Sequence, residues 1–177
     1  MEKKLVILGA GESGVGAAIL GKKMGYEVFL SDQNDIDIEL QALLVKEGIL
    51  WEAGQHSLES MQEAHLVIKS PGIPSDVPLI KTLKAQGKTI CSEIEFAAQH
   101  TSATLIGITG TNGKTTTTLL TYQILKEAGL HVGMAGNIGT SFALQVAQTD
   151  FDFYVLELSS FQLDDIKEFS PHIAVIT

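Results

Sequence analysis

The chain has 177 residues, of which 45% are hydrophobic, and a mean hydropathy of +0.20. That is the composition of a foldable globular chain, long enough for one large domain or one and a half ordinary ones, and not of a disordered one. A formal net charge of −9 without any basic cluster excludes nucleic acid and anionic membrane surfaces as expected partners. A single cysteine, Cys91, excludes an intrachain disulfide and a cysteine-rich metal site.

The first apolar run, Leu5–Leu8, reads as a buried parallel strand and is too short for a signal or a membrane span, so a cytoplasmic location is expected. It runs into Gly9-Ala10-Gly11-Glu12-Ser13-Gly14, a G-x-G-x-x-G loop that opens a helix over Val15–Met24. The next strand, Glu27–Leu30, is followed by Asp32, about twenty residues after the loop. This is the arrangement that binds a dinucleotide or a related nucleotide: glycines for backbone approach, a helix N-terminus for pyrophosphate, a carboxylate for ribose hydroxyls. NAD is the default ligand of such a loop, and a packing turn is the plain alternative. Glu12 adds a carboxylate near the expected phosphate path.

A helix over Ile36–Lys46 and a strand over Leu66–Ile68 lead to Ser70-Pro71-Gly72-Ile73-Pro74. Pro71 stiffens that turn and Gly72 frees its backbone. Both a ligand-facing loop and a simple connection fit it. Helices over Val77–Gln86 and Glu93–His100 follow, then a polar stretch, Gln99–Ala103, that predicts a domain boundary near residue 100.

A second unit, residues 101–177, opens on a strand, Leu105–Ile108, then Gly110-Thr111-Asn112-Gly113-Lys114-Thr115-Thr116 and a helix over Thr115–Ala128. Strand, glycine loop and helix are the setting of a phosphate-binding loop, with Lys114 reaching the β/γ-phosphates and the Thr115 hydroxyl facing Mg²⁺. The general motif would carry glycine at Ile108; here it is shortened to Gly-x-x-Gly-Lys-Thr. Gly136-Asn137-Ile138-Gly139 ends another strand-like stretch, and a helix covers Phe142–Ala147. In the strand Phe153–Leu158, Glu157 is an acid at the end of an apolar run, the place for a carboxylate that holds Mg²⁺ or its waters. Ile173–Ile176 reads as a last strand, and the chain stops where another functional loop is expected, so it reads as the first part of a longer protein. The alternation of strand and helix predicts α/β architecture: a Rossmann-like parallel sheet in residues 1–100, then the beginning of a P-loop ATPase domain. The five histidines show no ligand spacing and are expected to be structural or at the surface.

Thr109–Thr116, Gly136–Gly139 and Glu157-Leu158-Ser159-Ser160-Phe161-Gln162-Leu163 together resemble the Mur ligase family, and the last segment resembles its D-glutamate-adding branch. The resemblance spans the chain. It implies an ATP- and Mg²⁺-dependent amide ligase of peptidoglycan synthesis whose small-molecule substrates are UDP-N-acetylmuramoyl-L-alanine, D-glutamate and ATP. It implies that Gly110–Thr116 bind ATP and that Lys114, Asn137 and Glu157 are catalytic, with Thr115 and Glu157 on the metal. Gly11, Glu12, Ser13, Asp32, Gln33, Ser70, Pro71 and Gly72 would face the UDP part, and Asn137, Ser159 and Gln162 the muramoyl-alanine end. Gln33 and Asn34 depart from the family pattern after the aspartate. A catalytic histidine, a carbamylated lysine and the D-glutamate domain would lie beyond Thr177, so this stretch alone is expected to be inactive. Two alternatives are an NAD-binding regulatory module joined to a nucleotide switch, and a folylpolyglutamate-type ligase. The second is disfavoured because that group begins with its ATPase domain.

Overall fold

The computed structural model describes residues 3–177. Its first half alternates β1 (Lys4–Leu8), α1 (Glu12–Lys23), β2 (Glu27–Ser31), α2 (Ile38–Lys46), β3 (Leu50–Glu52), α3 (Leu58–Met61), β4 (Leu66–Lys69), α4 (Pro78–Ala85) and β5 (Thr89–Ser92). The strands form a five-stranded sheet in the order β3-β2-β1-β4-β5, parallel throughout. The chain fills one side of β1, then returns to fill the other. The loops after β1 and β4 therefore flank the point where the strand order reverses, which is where open α/β sheets form crevices.

Helix α5 (Glu93–Ala98) leads to the second half: β6 (Thr104–Thr109), α6 (Lys114–Glu127), β7 (Val132–Gly136), α7 (Phe142–Gln148), β8 (Phe153–Glu157), α8 (Ser160–Leu163) and β9 (Ile173–Ile176). These strands form a four-stranded parallel sheet in the order β7-β8-β6-β9. The buried runs Leu5–Leu8 and Tyr154–Leu156 carry no polar alternation because helices cover both faces.

Two short strands, β3 and β5, and two single-turn helices add to the elements read from sequence, and the strand-like stretch that ends at Gly136 is β7. β3 is a three-residue edge strand with Leu50 exposed. β5, Thr-Ile-Cys-Ser, is too short to declare itself. β7 carries Gly133 and Gly136, which lower strand propensity; an added Cβ at Gly133 would meet Gln145, Phe151 and Tyr154 at 2.7 Å.

One apolar cluster runs through both halves, joining Val15 and Leu20 of α1 and Phe96 of α5 to Phe142 of α7 and Tyr154 of β8. Helix α1 packs so closely on the start of α7 that a Cβ at Gly16 would collide with the Ser141 side chain. Polar contacts reinforce this seam. The buried Glu93 carboxylate accepts from Ser141 Oγ at 2.8 Å and Ala143 N at 2.6 Å, while Ser141 itself caps α7. Burial pushes the Glu93 carboxyl up, against the pull of the bonds from Ala143, Ser141 and Phe142. Glu95, also buried, accepts from the backbone N–H of Lys167 at 2.8 Å and Glu168 at 3.1 Å. Lys23 Nζ donates to Ala147 O at 2.7 Å. Removing the Glu93 carboxylate would strand two buried donors, at about 1–3 kcal/mol each. The seam thus fixes the loop that precedes α7, which carries Asn137, relative to the first sheet.

Candidate functional site

A cavity of about 630 Å³ opens at the reversal point of the first sheet. Gly9, Gly11, Glu12 and Ser13 line it from the β1 loop, Asp32, Gln33 and Asn34 from the end of β2, and Ser70–Pro74 from the β4 turn. The β1 and β4 loops touch: Gly9 has φ +97°, and a Cβ there would strike the Ser70 side chain. Asp32 holds the glycine loop in shape, with Oδ2 accepting from Ala10 N at 2.6 Å and Oδ1 from Asn34 N at 2.8 Å. Oδ1 also accepts from Asn34 Nδ2 at 3.4 Å, so it is Oδ2 that keeps a further lone pair for a ligand hydroxyl. Glu12 is the first residue of α1, at the helix N-terminus that the loop exposes to the cavity.

His56 also lines this cavity, a residue the sequence reading assigned to structure or surface. Its Nδ1 lies 2.7 Å from the Oγ of fully buried Ser31, which lies 2.7 Å from Glu52 Oε1. The single Ser31 hydroxyl proton goes to the carboxylate, so Nδ1 is assigned as the donor to Ser31 Oγ. Burial pushes Glu52 up, but hydrogen bonds from the Ser57 side chain and backbone and from Ser31, with the nearby His56, outweigh it and hold the carboxyl below its usual range. The signal in the sequence was small: one histidine four residues past a three-residue strand.

In the second half the loop after β6 leads into α6, capped by Gly113. Lys114 Nζ donates to Gly110 O at 2.8 Å, so the ammonium rests against its own loop. Thr115 Oγ1 donates to Glu157 Oε2 at 2.8 Å, and Asn137 Nδ2 donates to Glu157 Oε1 at 2.9 Å. Asn137 N also donates to Glu157 O at 2.8 Å, which locks the β7 and β8 ends together. Thr177 seals the other side of the loop, its Oγ1 donating to Asn112 O at 2.6 Å and its carbonyl accepting from Thr111 N at 3.3 Å.

Glu157 is 1% exposed, and its hydrogen-bond donors are neutral. Among the described residues the ion pairs are Lys4–Glu63 and Lys69–Asp165, so no cationic side chain compensates it. A buried carboxylate next to a hydroxyl at the mouth of a phosphate loop is a hard-oxygen donor set that fits a divalent cation. No cluster of three or more His, Cys, Asp or Glu side chains among the described residues could hold a metal.

A second cavity, of about 520 Å³, lies between the halves. Pro71, Gly72, Pro74 and Ser75 form one wall, and Asn137, Ser159, Phe161 and Asp164 the other. Pro71, Gly72 and Pro74 line both cavities, so the two adjoin. Gln162 is not in this wall. It is buried, with Oε1 accepting from Ser159 N at 2.9 Å and Ser159 Oγ at 3.1 Å in a capping box on α8. In this position it holds Ser159 at the cap of α8.

The family profile described as "Mur ligase MurD-like, N-terminal domain" matches residues 3–92, and that described as "Mur ligase middle domain" matches residues 108–177. The chain is 56% identical over 174 residues to the UDP-N-acetylmuramoylalanine--D-glutamate ligase of Bacteroides fragilis, covering 98% of the chain and 39% of that protein. It is 57% identical over 174 residues to the ligase of the same name from Bacteroides thetaiotaomicron, again covering 98% and 39%. The chain therefore spans about two fifths of these relatives' length. The crystal structure of UDP-N-acetylmuramate:L-alanyl-gamma-D-glutamyl-meso-diaminopimelate ligase from Neisseria meningitides shares the fold, with a TM-score of 0.65 at 21% identity over 99% of this chain and 60% of that one. With profiles matching on both sides of the seam, the chain belongs to the Mur ligase family.

Proposed function

We propose that the chain is the UDP-substrate- and ATP-binding part of a cytoplasmic ligase that joins D-glutamate to UDP-N-acetylmuramoyl-L-alanine in peptidoglycan synthesis. One observation carries this reading: the cavity of the first sheet adjoins, across Pro71, Gly72 and Pro74, a second cavity lined by Asn137 and Ser159, and Asn137 shares the Glu157 carboxylate with Thr115 of the phosphate loop. A UDP-sugar bound at the glycine loop would reach along this groove and bring its terminal carboxylate toward the γ-phosphate. None of the helices among the described residues is long and apolar enough to cross a membrane.

The residues then have separate tasks. The N-terminus of α1, with the backbone of Gly11–Ser13, receives the diphosphate. Asp32 holds the glycine loop and offers a lone pair to a hydroxyl. Gly110–Thr116 cradle the β/γ-phosphates, and Lys114 leaves the Gly110 carbonyl to neutralise charge on the transferred phosphoryl group. Thr115 and Glu157 would hold Mg²⁺, which when bound neutralises phosphate charge. Asn137, fixed by Glu157, orients the carboxylate end of the substrate. The step is a phosphoryl transfer to a carboxylate, giving an acyl phosphate that the amine of D-glutamate then attacks. Its acceleration by this part of the protein is positioning and charge stabilisation.

An NAD-binding module would use the same first cavity, so the ligand preference separates the two readings. Calorimetric titration is expected to show UDP binding tighter than NAD⁺. Tighter binding of NAD⁺ would overturn the substrate assignment.

A further inference from the structure

Lys69 ends β4, next to the Ser70–Pro74 turn that both cavities share. A lysine bordering a nucleotide cavity is expected to contact a phosphate. This one is 1% exposed, and its ammonium is fully used. Nζ donates to Ile73 O at 2.5 Å and Ser70 O at 3.3 Å, and pairs with Asp165 Oδ2 at 2.6 Å. An ammonium has three protons, and each has an acceptor. Two of them hold the turn of the first half. The third crosses to the second half, because Asp165 lies just after α8, the helix that Ser159 caps. The other Asp165 oxygen accepts from Ser75 Oγ at 2.9 Å, again on the first half. One carboxylate thus ties two points of the Ser70–Ser75 wall to the segment bearing Ser159, Phe161 and Asp164, the opposite wall of the second cavity.

We propose that Lys69 and Asp165 form an inter-domain latch that sets the spacing of the groove, a positioning pair for a ligand that spans both cavities and not a phosphate ligand. The proposal rests on the UDP-substrate reading above. A ligand confined to the first cavity has no contact with the second wall, so it does not depend on Asp165, although loss of the Lys69 ammonium also frees the Ser70–Ile73 turn that lines that cavity. A spanning ligand pays twice for a loosened wall, in affinity and in the placement of its reacting end, where a displacement of about 1 Å can cost about 100-fold in rate.

The test compares UDP with UDP-N-acetylmuramoyl-L-alanine by calorimetry on the full-length ligase and on its Lys69→Met and Asp165→Asn variants. For Asp165→Asn, expected is a rise in Kd for the spanning ligand of about 10- to 100-fold with a UDP Kd within about twofold of the parent. Lys69→Met, which also releases the turn at Ser70 and Ile73, should weaken both ligands and the spanning one more. The double variant should be no weaker than the worse single one, because both remove the same interaction. Asp165→Asn removes the charge paired with Lys69 and leaves one acceptor oxygen where the carboxylate has two, with an amide N–H that can donate to Ser75 Oγ, so it tests the latch even if Lys69→Met does not fold. Equal weakening of both ligands by Asp165→Asn would make the pair part of the nucleotide site, and unchanged binding of both would make it structural only; either result overturns the latch. A parent protein that binds neither ligand would instead overturn the functional reading itself, and the latch with it.

Discussion

Lys114→Ala in the full-length ligase is expected to lower kcat by at least about 100-fold, in line with about 3 kcal/mol or more for one preorganised charge lost from a transition state. The size follows from how little else can serve. The chain contains no arginine, so no bidentate guanidinium clamp is available from this segment. No other lysine among the described residues hydrogen-bonds to the Gly110–Thr115 loop. Lys114 is held at 2.8 Å from Gly110 O, poised over the loop, and its release to a phosphate oxygen leaves the loop backbone intact. Binding of UDP-N-acetylmuramoyl-L-alanine should survive, since the first cavity has no contribution from Lys114. Steady-state turnover with a thermal-shift titration of the UDP substrate checks both halves; turnover near the parent rate would reject the role given to Lys114.

Glu157→Gln is expected to uncouple stability from activity. The amide keeps the size of the carboxylate and can meet both neighbours, accepting from Asn137 Nδ2 while donating to Thr115 Oγ1. It removes a buried charge that no cationic side chain among the described residues compensates. The melting temperature of the nucleotide-free protein should therefore stay level or rise. Turnover should fall by at least about 100-fold, with a higher Mg²⁺ concentration needed for half of the residual rate. Glu157→Ala should differ by also lowering stability, because the Thr115 hydroxyl and Asn137 amide lose their acceptor, at about 1–3 kcal/mol each. A Gln variant that unfolds on cooling or warming near room temperature, or that turns over like the parent, would contradict the assignment of Glu157 to a metal and not to the core.

What could be read before the structure was what local chemistry dictates. The continuous apolar runs Leu5–Leu8 and Leu105–Ile108 carry the signature of strands buried on both faces, and each is followed by a glycine loop whose spacing points to phosphates. Thr115, Asn137 and Glu157 are far apart in sequence, yet Asn137 and Glu157 stand just after and at the ends of strands and Thr115 opens the helix beyond the β6 loop, and parallel pairing brings such positions to one edge. The rest depended on tertiary packing. β7 is a strand because Gly133 lets Gln145, Phe151 and Tyr154 close over it, not because Val-Gly-Met-Ala-Gly favours extension. Gln162 counts as a ligand residue by family resemblance alone; the capping box that holds it against Ser159 exists only once α8 forms. His56 and Lys69 were unreadable for a shared reason: their roles are set by partners 25 and 96 residues away, Ser31 and Asp165, and no spacing rule connects them.

The most direct test of the whole reading follows the oxygen atoms. UDP-N-acetylmuramoyl-L-alanine labelled with oxygen-18 in its alanine carboxylate, incubated with the full-length ligase, ATP, Mg²⁺ and D-glutamate, should pass one labelled oxygen to inorganic phosphate for each amide bond formed. That result would place the carboxylate at the γ-phosphate, where the groove leads. Amide formation with unlabelled phosphate would mean that the carboxylate is activated by some other route, and that the groove from the first cavity does not deliver it to the Gly110–Thr115 loop.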